Sequence, residues 1–176
     1  MTTLITILLV IAGIIALLLI IGRFMKREHF ANREIIINAP LQKVFDFLKL
    51  LNNQEKFNPS RATDSDRKKE FKGTDGTVGF IYVWSGNKNA GEGEKEIINI
   101  IEGKRIETEI RFVKPMVTSA TIIMETEALS DNQTEVSMSN TGTLNYPLNI
   151  MIPMFEKMFA KDMDTSLCNL KNIPEK

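Results

Sequence analysis

The chain has 176 residues, which is enough for one globular domain and a short appendage. Lysine plus arginine equals aspartate plus glutamate at 22 each, so the sequence lacks the basic excess that is typical of nucleic-acid-binding proteins. The single cysteine, Cys168, cannot form an internal disulfide, and the single histidine, His29, cannot build a histidine triad or a histidine-rich metal site. We therefore predict no nucleic-acid partner, no metal site and no bound cofactor.

An apolar segment opens the chain: residues 4–22 contain no charged side chain. A membrane-spanning helix needs about 20 apolar residues, so we predict a transmembrane anchor over residues 1–22. A cleaved signal peptide is the alternative, but no lysine or arginine precedes the segment and no Ala-x-Ala-like site follows it. Arg23, Lys26 and Arg27 follow directly, which by the positive-inside rule predicts a single-pass membrane protein with a cytoplasmic domain.

The folded domain is predicted over residues 33–176, after a basic juxtamembrane linker at residues 23–32. His29 falls in this linker and is expected at the membrane interface, because one histidine alone cannot assemble a catalytic or metal site. Three consecutive isoleucines favour a first strand at residues 33–38. A helix follows over residues 40–51, since its first residue is a proline, which suits the first helical turn.

Two adjacent asparagines at residues 52–53 are predicted to end this helix, and a short second helix is expected to reach Phe57. Residues 66–71 predict a weak edge strand, because lysines protect exposed strand edges. Short connections that are rich in turn residues make the later strands antiparallel neighbours. These further strands are predicted at residues 77–84, 92–101, 105–113, 118–129 and 134–144.

A long amphipathic helix is predicted over residues 148–170, because its apolar side chains recur every three or four positions. Residues 105–113 alternate between apolar and charged side chains, so we expect one sheet face to be solvated and the other to be covered by this helix. Phe155 and Phe159 are expected to press onto the covered face, and Cys168 to be a buried, unreactive thiol. Strands flanked by helices in this order indicate an α+β fold.

The covered face also predicts the lining of an apolar cavity. Methionine is unbranched and polarizable, so the methionines of the long helix suit a lining that adapts to its contents. Strand alternation and the helix segment that faces it predict these ligand-binding residues: Ile110, Phe112, Ile122, Met124, Val136, Met138, Asn140, Met151, Met154, Phe155 and Met158. Tyr82 and Trp84 are added as amphipathic side chains that could contact a ligand.

Several short segments occur in an order that is typical of one superfamily: Ile-Ile-Ile-Asn-Ala-Pro at 35–40, Trp-Ser-Gly at 84–86, Gly-Glu-Gly at 91–93, Lys-Arg-Ile at 104–106 and Lys-Asp-Met at 161–163. Over residues 33–172 the sequence resembles the polyketide cyclase/dehydrase-like, START-related superfamily, which has the Bet v 1-type helix-grip fold. It departs from that pattern at Gln54 and Phe57, where the family often has tryptophans, and at Met138, where it often has an aromatic residue.

The resemblance implies a curved seven-stranded antiparallel sheet around the long C-terminal helix, with an elongated apolar cavity between them. It also implies a function for residues 33–176 as a START/Bet v 1-like ligand-binding domain. Members of the superfamily bind lipids, sterols, quinones or polyketides, and some of them are enzymes. The departures at Gln54, Phe57 and Met138 are expected to change the mouth and floor of the cavity.

Three functional hypotheses follow. The first is membrane-tethered binding, transport or sensing of a hydrophobic small molecule, such as a lipid, a quinone or a polyketide-like compound. The second is a cyclase or dehydratase in the same cavity; it is less favoured, because catalysis needs an acid or base within reach and none is evident on the assigned inner strand faces. The third is a protein-interaction module whose cavity is filled by side chains. The sequence identifies no protein partner.

Overall fold

A seven-stranded antiparallel sheet forms the body of the protein in a computed structural model, which describes residues 2–58, 68–86 and 91–173. The strand order is β1-β7-β6-β5-β4-β3-β2, so the first two strands occupy opposite edges. This architecture and the long C-terminal helix confirm the predicted α+β fold. The elements are α1 Thr2–Phe24, β1 Glu28–Ile37, α2 Leu41–Lys49, α3 Leu51–Phe57, β2 Lys68–Lys72, β3 Ile81–Ser85, β4 Glu92–Ile101, β5 Arg105–Lys114, β6 Thr118–Ser130, β7 Gln133–Thr143, a 3₁₀-helix Leu148–Met151 and α4 Ile152–Lys171.

The first strand begins earlier than the sequence indicates. β1 starts at Glu28, which pairs with Thr143 of β7, so part of the predicted linker belongs to the sheet. His29 is 5% exposed, and the prediction that it lies at the membrane interface was wrong. It pairs with Gly142, where an added Cβ would lie 2.4 Å from Cε1 of His29. The missing side chain of Gly142 therefore leaves the space that the imidazole ring fills.

The break between the first two helices lies at Leu50, not at the asparagine pair 52–53 as predicted. Both asparagines belong to α3. The carboxylate of Asp75 accepts hydrogen bonds from the backbone N–H groups of Leu51, at 2.8 Å, and Asn52, at 3.1 Å. The first amides of a helix have no partner inside it, so this distant carboxylate stabilises a helix start at Leu51.

The predicted C-terminal helix over residues 148–170 is divided in two. Residues 148–151 form the 3₁₀-helix, and α4 begins at Ile152. Pro153 lies in the first turn of α4. It has no N–H group to donate to the carbonyl of Asn149, so an α-helix cannot continue through this point with all its hydrogen bonds.

One strand near the β2 edge also starts later than predicted. β3 begins at Ile81, because residues 77–80 form a turn that contains Gly79 at φ +87°. Gly79 adopts this left-handed conformation without the steric cost that a side chain would add. β2 begins at Lys68; residues 66–67 of the predicted edge strand lie outside the described residues.

The hydrophobic core lies between the concave sheet face and the helices. Val44, Phe45 and Leu48 of α2 and the C-terminal half of α4 pack against inward side chains of the sheet, including those of Ile37, Ile106 and Val136. A smaller cluster joins Leu51, Phe80, Tyr82, Trp84 and Ile97.

The buried stripe of α4 is formed by Met163, Leu167 and Leu170. Cys168 is exposed, so the prediction of a buried thiol was wrong. Adjacent helical positions differ by about 100° around the axis, which turns Cys168 away from the stripe beside Leu167.

Candidate ligand cavity

A cavity of about 410 Å³ lies between the concave sheet face, α3 and α4. Side chains from both the sheet and the helices border it. Its lining consists of Gln54, Phe57, Asn58, Trp84, Lys95, Ile110, Phe112, Ala120, Ile122, Met124, Met138, Asn140, Met158, Phe159, Asp162, Met163 and Ser166. This volume lies within the range of about 300–1,000 Å³ that is usual for small-molecule sites.

The strand register places the cavity at one end of the sheet. Gly142 of β7 pairs with Ala120 on one side and with His29 on the other. The lining residues Phe112, Ala120 and Asn140 therefore lie near the end at which β1 starts and α1 finishes. The core around α2 fills the other half of the concave face, so this cavity lies on the side of the N-terminal helix.

The lining has two chemically different parts. Side chains from β5, β6 and β7, together with Met158 of α4, supply an apolar wall. Most of the polar side chains come from α3 and the residue that follows it, from β4 and from α4: Gln54, Asn58, Lys95, Asp162 and Ser166. Asn140 of β7 adds one polar group beside the apolar wall. A cavity that is apolar apart from a few placed polar groups can bind a small molecule and also fix its orientation.

Lys95 is the charged group that the sequence analysis missed. It is 5% exposed and lies on the inner face of β4, where its Nζ donates to Oε1 of Gln54 at 2.5 Å. Gln54 in turn donates from Nε2 to the carbonyl of Leu48 at 2.8 Å, which fixes the orientation of its amide. Side chains alternate along a strand, so the acidic residues Glu94 and Glu96 on either side of Lys95 were the signal that could have placed Lys95 on the inner face.

The glutamates on the outer face of β4 have a separate partner. Arg111 of β5 donates to Glu94 at 2.7 Å, to Glu96 at 2.5 Å and also to Glu109. Hydrogen bonds to Glu96 and Glu94 raise the pKa of Arg111 above its ordinary value. The acidic run of β4 is therefore an ion-pair network on the convex face, distinct from the cavity.

Two aromatic arrangements shape the cavity. Trp84 lies over Gly93, where an added Cβ would lie 2.7 Å from Cζ2 of the indole. Its ring meets that of Phe112 edge to face, with centroids 5.6 Å apart. Behind the opposite wall, the ring of His29 lies 5.2 Å from that of Phe159 and its Nε2 is 3.0 Å from Oδ1 of Asn140. Both contacts hold lining residues in place.

The structure brings together many of the predicted ligand-binding residues, namely Trp84, Ile110, Phe112, Ile122, Met124, Met138, Asn140 and Met158. The others lie outside the lining: Tyr82, Val136, Met151, Met154 and Phe155. Tyr82 and Val136 are buried in the two core clusters, because the cavity covers only one half of the inner face. Met154 is exposed on α4, and Phe155 stacks on Phe159 outside the cavity lining.

Known structures share this arrangement. Norcoclaurine synthase from Thalictrum flavum is 13% identical, with 85% of this chain and 95% of that chain covered and a TM-score of 0.64. The Aha1 dimer from Colwellia psychrerythraea is 18% identical, with 84% and 98% covered and a TM-score of 0.56. Ara h 8.0201 is 14% identical, with 81% and 98% covered and a TM-score of 0.53. No protein-family model matches the sequence, and no curated protein matches it.

The chain has the Bet v 1-like, helix-grip fold. At these low identities the similarity establishes the fold alone. The resemblance of residues 33–172 to this superfamily is thereby supported in its architecture.

The helix-grip domain is joined tightly to α1. This helix has 23 residues and is long and apolar enough to cross a membrane, as a signal sequence at the same position would be. Asn149, in the 3₁₀-helix, is buried and donates from Nδ2 to the carbonyls of Gly22 at 2.7 Å and Met25 at 3.1 Å. The last carbonyls of a helix have no partner within it, so Asn149 stabilises the end of α1.

A second contact joins the same segment to α4. Lys26 forms a salt bridge of 2.7 Å with Glu156, which also accepts a hydrogen bond of 3.1 Å from the backbone N–H of Phe30. These two hydrogen bonds, that from Lys26 first, lower the pKa of Glu156. The chain that leaves α1 is therefore held against α4, at the end of the sheet where the cavity lies.

Proposed function

We propose that the protein binds a hydrophobic small molecule, such as a lipid, a quinone or a polyketide-like compound, in this cavity while α1 holds the domain at a membrane. The observation that carries the proposal is the cavity of about 410 Å³ with its apolar wall on β5, β6 and β7. An interaction module with a filled cavity is less well supported, because that volume is ample for a ligand.

The position of the cavity supports a link between binding and the membrane. The contacts of Asn149 and Glu156 hold the end of α1 at the same end of the sheet as the cavity. A ligand dissolved in the bilayer would therefore have a short path to Met158, which lines the cavity and is also exposed. This arrangement supports transport or sensing of a membrane-soluble compound.

The binding test uses the full chain, purified in detergent and exposed to a total lipid extract. Native mass spectrometry should detect a bound apolar molecule. Met138→Trp places a larger side chain in the cavity and should abolish binding while the melting temperature is kept. Recovery of empty wild-type protein only would contradict the proposal.

The matched control is Val136→Trp, on the same strand and the same face. Both residues belong to the same buried core cluster, but Met138 borders the cavity and Val136 does not. Val136 is 0% exposed, and volume added in a close-packed core costs about 1–3 kcal/mol. We expect this variant to melt at a lower temperature. Equal destabilisation by Trp at 136 and at 138 would mean that the space beside Met138 cannot accept a ligand.

We also propose that residues 1–22 anchor the protein, and that the domain faces the cytoplasm. Arg23, Lys26 and Arg27 follow the apolar segment, and basic residues beside a span favour the cytoplasmic side. A green fluorescent protein fused after Lys176 should fluoresce, whereas alkaline phosphatase at the same position should be inactive. Phosphatase activity would reverse the proposed orientation.

A cyclase or dehydratase is the second candidate. It is supported by Lys95 and Asp162, two ionisable side chains that line the cavity. A general acid or base must lie within hydrogen-bonding reach of the substrate, and both are placed where a bound molecule could meet them. Recovery of a chemically changed ligand after incubation, with loss of the change in Lys95→Met, would favour this candidate over binding alone.

A further inference from the structure

We infer that residues 144–155 form a second contact with the membrane and lie in the interface of the bilayer beside the end of α1. The inference rests on the proposed anchoring of the chain by α1, and it assigns a surface of the folded domain to the lipid. Three features of the molecule carry it: the length of α1, the hydrogen bonds that join the 144–155 segment to the end of α1, and the exposed apolar side chains of that segment.

The length of α1 sets the depth at which this helix ends. Residues 4–22 carry no charge, and Arg23 is the first charged residue after them. At a rise of about 1.5 Å per residue they extend about 28 Å, which is close to the hydrocarbon thickness of about 30 Å. A span with no length to spare must place the ends of its uncharged stretch at the two interfaces. Gly22 therefore lies at the boundary between acyl chains and headgroups.

The folded domain is bonded directly to the chain at this boundary. Asn149 donates from Nδ2 to the carbonyl of Gly22 at 2.7 Å. The backbone N–H of Leu144 donates to the carbonyl of Arg27 at 2.8 Å. An added Cβ at Gly22 would lie 3.7 Å from two ring carbons of Tyr146. These contacts hold the 144–155 segment at the depth at which α1 leaves the bilayer.

The side chains of the segment suit that depth. It contains no charged residue, yet many of its residues are exposed. Tyr146 is 42% exposed, Leu148 39% and Met154 56%. Tyrosine is enriched where membrane and water meet, because its ring is apolar and its hydroxyl group is polar. Lipid in contact with these side chains would remove apolar surface from water, which is favourable.

Such a contact also brings the cavity close to the lipid. Met158 is exposed and lines the cavity. At about 1.5 Å per residue it lies about 9 Å along the axis of α4 from Ile152, the first residue of that helix. A ligand that leaves the bilayer would therefore cross only a short distance through water before it reaches Met158.

The test measures the depth of single positions in the full chain. Cys168→Ser removes the native thiol, and one cysteine is then introduced elsewhere and labelled with nitrobenzoxadiazole. Leu148→Cys reports on the segment, and Leu129→Cys is the matched control, since it replaces an exposed leucine at the other end of the sheet. Ile14→Cys, in the middle of α1, reports on the anchor. Each protein is reconstituted in phosphatidylcholine nanodiscs with or without a lipid that carries a nitroxide quencher.

We expect a nitroxide near the headgroup to reduce the emission at Leu148→Cys about twofold or more, because an interfacial segment lies about 5–10 Å into the boundary of headgroups and acyl chains. The emission at Leu129→Cys should not change, since at about 3.3 Å per residue this position lies about 30 Å further along β6 than Ala120. Tyr146→Cys should be quenched like Leu148→Cys, so a second position decides the outcome if one variant folds poorly.

The position in α1 separates failure of the inference from failure of the anchor. Quenching at Ile14→Cys by a nitroxide at the end of the acyl chain, without quenching at Leu148→Cys and Tyr146→Cys, would overturn the inference and leave the anchor intact. Equal quenching at Leu148→Cys and Leu129→Cys would also overturn it. Protection of Leu148→Cys from aqueous iodide without quenching by lipid would mean that another protein chain covers the segment, again against the inference. Absence of quenching at Ile14→Cys would overturn both the anchor and the inference.

Discussion

Shortening a side chain in the C-terminal half of α4 should destabilise the domain much more than shortening one in the N-terminal half. Leu167, in the C-terminal half, is 2% exposed and packs in the core with residues of α2 and the sheet. Met158, in the N-terminal half, is 43% exposed and borders the cavity. Leu167→Ala and Met158→Ala remove comparable amounts of apolar side chain from the same helix, so each variant serves as the control for the other.

The difference in surroundings sets the expected magnitudes. Truncation of a buried leucine costs about 2–5 kcal/mol, because transfer free energy is lost and a void remains. Met158 already adjoins solvent and empty space, so Met158→Ala loses few contacts and gains slightly in helix propensity. We expect its cost to be below about 1 kcal/mol.

The assay is thermal unfolding of the full chain in detergent, followed by the fluorescence of Trp84. For a domain of this size each kcal/mol lowers the midpoint by about 2–4 °C, so Leu167→Ala should lower it on the order of 4–20 °C. Met158→Ala should lower it by no more than about 4 °C. Equal shifts, or the larger shift in Met158→Ala, would show that α4 is not divided into a core half and a cavity half.

Three further predictions concern local interactions. Asp75→Ala removes the acceptor for two amides of α3 and should reduce the free energy of unfolding by about 0.5–2 kcal/mol, whereas Asp75→Asn, which keeps one oxygen acceptor, should lose less. Arg111→Met leaves the glutamates of the convex face to repel one another and should destabilise by about 1 kcal/mol, with partial recovery of the melting temperature in high salt. The hydrogen bond from Lys26 lowers the pKa of Glu156 in the folded state, so the ionised carboxylate stabilises the fold. This stabilisation is complete above the ordinary carboxyl pKa of about 4.3 and is lost as the pH falls through the lower pKa of the folded state. Wild type should accordingly melt above Glu156→Gln at neutral pH, with the gap closing in acid; a constant gap would refute this.

The period of the hydrophobic pattern was sufficient to predict the α+β fold and most of the sheet. Side chains alternate strictly along a strand, so the apolar positions of residues 105–113 identified the inner face without knowledge of its partners. The same local rule predicted that Ile110, Phe112 and Met138 would line the cavity, and the structure places them there. Short connections then permitted few arrangements other than an antiparallel sheet.

What depends on residues far apart in the chain was decided only by the tertiary structure. The carboxylate of Asp75 stabilises the start of α3 from outside that helix. The imidazole of His29 fits in the sheet because Gly142 has no side chain to occupy the same space. Asp75 and Gly142 lie far in sequence from the residues that they contact, so no local sequence pattern predicts these contacts. The position of Lys95 could have been inferred from alternation, but its interaction with Gln54 could not. The location of the cavity also needed the complete fold, because helix packing fills one half of the concave face and leaves the other half open beside α1.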